Sequence, residues 1–151
     1  MKQIIILSVL LLTLFVAQAQ KNATPLLTAY YEMKDALVAA DAATAAAKAT
    51  EFNKQLASTP KAKEALQVKL SADAEKIAGS KDVAKQRDAF ATLSANMLVL
   101  AKTEKLSADP IYQQYCPMKK TYWLSYEPAI KNPYYGKMML TCGSVTETIK
   151  P

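Results

Sequence analysis

No glycine or proline interrupts residues 26–59, and the whole stretch from about 24 to 106 is rich in alanine, lysine, glutamate and leucine. These are good helix formers. The stretch therefore constrains the fold more than any other feature, because its helices must find partners for their apolar stripes. Thr24 is placed to cap a first helix, with Pro25 where a missing N–H costs nothing. Leu26, Tyr30, Met33 and Leu37 then share one helical face. Ala42, Ala45, Ala49, Phe52 and Leu56 extend the pattern, with Asp41 able to cap a separate helix, so residues 24–58 read equally as one helix or two. Thr59-Pro60 marks the next start, and its stripe of Leu66, Leu70, Ala74 and Ile77 ends at Gly79, expected as a left-handed cap. Ser80 is expected to open a last helix carrying Val83, Phe90, Leu93, Met97 and Leu100. Short connections predict antiparallel neighbours. The expected fold class is all-α: an up-and-down bundle of three or four antiparallel helices over residues 24–106.

Composition changes after Asp109-Pro110. Tyr112, Tyr115, Tyr122, Trp123, Tyr126, Tyr134 and Tyr135 crowd this segment, and Pro117, Pro128 and Pro133 argue against long regular elements. Gly136 and Gly143 permit tight bends. The expectation is an aromatic-rich, mostly irregular cap over residues 107–151, with short extended pieces near 112–116 and 140–149. It would pack on the bundle through its rings, making residues 20–151 a single domain.

The first residues read as a cleavable export signal. Lys2 precedes an apolar run from Ile4 to Val16, and Ala17-Gln18-Ala19 offers a small-x-small cleavage site. A signal peptide over 1–19 would leave Gln20 as the mature N-terminus. The expected location is the periplasm, with no stable membrane insertion after cleavage, since no later run approaches the length of a membrane span. The formal charge of +6 is spread along helical faces beside Asp and Glu, without a basic stripe, so nucleic acid is not expected as a partner. The chain has no histidine. That removes Ser-His-Asp and Cys-His mechanisms and the usual His-containing zinc sites, and the protein is expected not to be an enzyme.

Both cysteines lie in the last third, in Tyr115-Cys116-Pro117-Met118 and Met138-Met139-Leu140-Thr141-Cys142-Gly143. Thiolates and thioethers are soft donors that select Cu(I) and similar ions. Cys116, Met118, Met139 and Cys142 are the candidate ligands, with Met138 as a substitute and Trp123 as a cover for the cation. In an extended chain Cys116 and Met118 would share a side. The alternative is a disulfide between Cys116 and Cys142. It would close a loop of about 26 residues, worth about 3 kcal/mol in the chain-entropy model, and would make the chain a stapled, non-enzymatic interaction domain docking on an envelope partner. Asn132-Pro133-Tyr134-Tyr135-Gly136 is a turn signal that would bring Cys142 back toward Cys116.

Tyr30-Tyr31-Glu32-Met33-Lys34-Asp35-Ala36-Leu37 with Asp41, Arg87-Asp88-Ala89-Phe90 with Leu93-Ser94, Trp123-Leu124-Ser125, the Asn132–Gly136 turn and the two cysteine motifs together resemble the domain-of-unknown-function family 3347. The resemblance implies a small exported protein of Gram-negative type, related to domains fused to periplasmic adaptors of heavy-metal efflux pumps. It thereby favours the soft-metal reading, with Cu(I) as the ion and an efflux adaptor or other envelope protein as the partner. One departure is Lys119, where similar short metal-binding modules usually carry histidine after the Cys-Pro-Met motif.

Overall fold

The computed structural model describes residues 22–59 and 63–151. The expected signal peptide and Pro60 lie outside these residues. Four helices, α1 (Pro25–Val38), α2 (Ala42–Ala57), α3 (Glu64–Ala78) and α4 (Val83–Thr103), are followed by strands β1 (Ile111–Cys116), β2 (Thr121–Ser125) and β3 (Ser144–Ile149). A short 3-10 helix, Gly136–Met139, precedes β3. The all-α expectation is therefore wrong: the fold is mixed, a helical bundle carrying a three-stranded antiparallel sheet of order β2-β1-β3.

The helices follow their apolar stripes. Consecutive helices pack against one another, and α4 also packs against β2. The Thr24 hydroxyl accepts from the Leu27 amide at the start of α1. Residues 24–58 form two helices although neither glycine nor proline separates them. Ala40 adopts φ 58°, while the Asp41 and Ala40 amides donate back to the Ala36 and Leu37 carbonyls. This is a Schellman cap with alanine at the left-handed position. Asp41 then caps α2 by accepting from the Thr44 amide at 3.0 Å.

The left-handed cap expected at Gly79 does not form, since its φ is −81°. The later helix starts also differ from expectation. Lys63 and Asp82, rather than Thr59 and Ser80, immediately precede α3 and α4.

The expected irregular cap is instead organised by a hairpin. Cys116 pairs with Thr121, and Tyr115 with Tyr122, across a turn of Pro117 to Lys120. Pro117 sits in that turn, where it removes no ladder hydrogen bond. β3 lies along the other side of β1, with a bulge at Gln113/Gln114. The Gln113 and Thr146 side chains bond across this irregularity.

The other edge of the sheet is closed by side chains. The Leu124 amide of β2 donates to the Tyr30 hydroxyl of α1 at 3.0 Å, and that hydroxyl also bonds Ser94 of α4 at 2.8 Å. The Tyr134 hydroxyl donates to the Tyr122 carbonyl. Phe90 stacks on Tyr30 with ring centroids 5.2 Å apart, and Tyr134 reaches both Phe90 and Trp123. Buried aromatic rings thus join the sheet to the bundle, as the composition of the cap suggested.

Candidate two-cysteine site

Cys116 is the last residue of β1 and is fully buried. The chain leaves the strand at Pro117 and turns back through Lys120, which has φ 54°. This turn places the Lys119 amide over the sulfur, donating to Sγ at 3.3 Å. The Lys119 ammonium is held elsewhere by an ion pair with Asp88 of α4. Residue 119 therefore serves the sulfur through its backbone, whatever its side chain. Met118 lies in the turn, 60 % exposed. The expectation that Cys116 and Met118 share a side assumed an extended chain, and the strand ends at Cys116.

The residue that joins the two cysteine motifs is Asn132. Its Nδ2 donates to Cys116 Sγ at 3.2 Å and to the Cys142 carbonyl at 2.7 Å. Its Oδ1 accepts from the Tyr134 amide at 2.8 Å, an Asx-type turn that fits Asn before Pro. Its own amide donates to the Leu140 carbonyl, and its carbonyl accepts from the Gly136 amide. Asn132 is fully buried, and each of its polar groups is satisfied, as burial demands. The sequence pattern identified this turn and its direction. It did not identify the side chain as the tie.

Cys142 is half-buried, and its amide donates to the Met139 carbonyl at 3.0 Å. Residues 136–139 form a 3-10 turn. Met139 is half-buried, and Met138 is 77 % exposed. Gly143 has φ +148°, and a Cβ there would lie 2.8 Å from both Trp123 Cη2 and the Tyr115 carbonyl. Only glycine lets the chain pass this close to the indole and bring Cys142 beside the end of β1. Trp123 is fully buried, with its indole against Gly143. Its buried Nε1–H has no acceptor among the described residues.

The surroundings are apolar. Burial pushes the Tyr134 phenol well above its usual range, with nearby Tyr30 and Cys116 adding smaller upward effects. Tyr134 therefore stays a neutral donor at physiological pH. Both cysteines are free. Among the described residues no group of three or more His, Cys, Asp or Glu stands together. A metal here would rest on the two sulfurs, supplemented by thioethers. Thiolates and thioethers are soft donors, which suit a thiophilic ion better than a hard one. Met118 and Met138 would have to fold inward to join them.

No helix among the described residues is long and apolar enough to cross a membrane. No curated protein and no solved structure matches the chain. A family match does exist, over residues 26–109. It takes in the four described helices from Leu26 onward and stops just short of β1, so the cysteine motifs that also suggested the resemblance lie beyond the matched residues. With more than half of its length matched, the chain belongs to the family described as Protein of unknown function (DUF3347).

Proposed function

We propose that this protein is an exported, non-enzymatic binding module for a soft metal ion, Cu(I) in the first instance. It would sequester the ion in the periplasm or pass it to an efflux adaptor. The observation that carries the reading is the common tie of the two cysteine motifs. Asn132 Nδ2 bonds the Cys116 sulfur and the Cys142 backbone at once, and both thiols are free. Thiolates of Cys116 and Cys142 would be the principal ligands, since the thiolate rather than the thiol binds metal. Met139 flanks Cys142, while Met118 and Met138 stand on two exposed turns, where thioethers could receive or release the ion. The bundle and sheet supply a rigid frame for a site of this kind.

Titrating the reduced protein with Cu(I) against a competing chelator tests the proposal. Tight binding should be lost in a Cys116→Ser, Cys142→Ser double variant whose circular dichroism shows it folded. Equal affinity in that variant would sink the reading. Alkylation and mass spectrometry of protein taken from the periplasm form the second arm. Complete oxidation of both thiols, with no effect of metal on melting, would favour the stapled interaction domain instead.

A further inference from the structure

We infer that Asn132 and the Lys119 amide make Cys116 a terminal ligand, so that the site takes a single soft ion rather than a multinuclear metal–thiolate cluster. This rests on Cys116 and Cys142 being the ligands, and it concerns how many ions they can hold. The Cys116 sulfur is bonded to one carbon, which leaves a thiolate three lone pairs. Two of those directions are already met by N–H donors, at 3.3 Å from Lys119 and 3.2 Å from Asn132. One remains. A bridging thiolate in a cluster must give electron pairs to two metal ions, and that would require one N–H bond to be abandoned inside a buried site. Breaking the Asn132 bond would leave an amide hydrogen without its sulfur acceptor, which is costly away from water.

On binding, the Cys116 S–H proton leaves to solvent, and the electron pair it vacates forms the single new bond to the ion. Both N–H contacts persist. Asn132 is then a positioning residue. It caps one face of the sulfur and holds the Cys142 backbone by its carbonyl. Residues that orient ligands in this way typically alter metal affinity by about 10–100-fold when replaced.

The test uses the reduced full chain and Cu(I). The wild-type protein should bind one equivalent and stay free of the luminescence given by multinuclear Cu(I)–thiolate clusters. In 15N-labelled protein, the Lys119 amide and the Asn132 side-chain amide should remain protected from solvent exchange in the loaded form. Asn132→Asp keeps an oxygen for the Tyr134 amide but has no donor for the sulfur, and should bind about 10–100-fold more weakly. Uptake of two or more equivalents with luminescence, or loss of protection at Lys119 and Asn132 on loading, overturns the inference while leaving the two-cysteine site intact. Absence of any thiol-dependent binding overturns both. The stoichiometry and exchange measurements use the wild-type chain, so they stand even if Asn132→Asp does not fold.

Discussion

At the scale of single residues, small departures from propensity mark where this chain is constrained. Ala40 holds a left-handed conformation in the α1–α2 connection, which costs a residue with a Cβ about 1–2 kcal/mol. Glycine adopts it freely but loses more entropy on folding. Ala40→Gly should therefore stabilise the protein by about 0.5–1 kcal/mol, read as a higher urea midpoint with an unchanged slope. Asn132 shows the opposite situation, a residue with every polar group engaged. Its place before Pro133 was legible as a turn. Its contact with Cys116 was not, because it joins the end of a strand to a distant turn, and sequence periodicity reports only local faces.

At the scale of elements, the helices were readable, and of the sheet only the extended pieces near 112–116 and 140–149 that became β1 and β3. Leu26, Tyr30, Met33 and Leu37, like Phe90, Leu93, Met97 and Leu100, are all buried as their spacing required. β2 was missed because it is five residues long and borders a proline-containing turn. Its edge amide at Leu124 is satisfied by the Tyr30 hydroxyl of α1, not by another strand. That closure gives a direct test. Tyr30→Phe removes the hydroxyl that both the Leu124 amide and Ser94 use. It should lower stability by about 1–3 kcal/mol, the penalty for leaving a buried donor unpaired. A melting curve indistinguishable from that of the wild type would show that β2 does not depend on α1 for its edge.

At the scale of the whole molecule, buried phenols couple the bundle to the sheet and set an alkaline limit on stability. Burial is the first cause raising the pKa values of Tyr30, Tyr31, Tyr126 and Tyr134, with Tyr126 pushed up to about 12. Unfolded phenols ionise near 10, so above that pH the unfolded chain releases protons that the native state retains. Stability should be fully present below pH about 10 and fall as pH rises toward about 12. Tyrosinate absorbance should then grow together with loss of circular dichroism. Ionisation of all the tyrosines while the fold persists would contradict this. Sequence alone determined the four helical stripes, the aromatic cap, the turn at Asn132 and the family. Each is a local pattern of spacing or composition. Only the tertiary structure decided that the cap is a sheet, that α1 and α2 part at an alanine, and that one asparagine ties the two cysteine motifs. Those outcomes depend on long-range hydrogen bonds that form only once the elements have met.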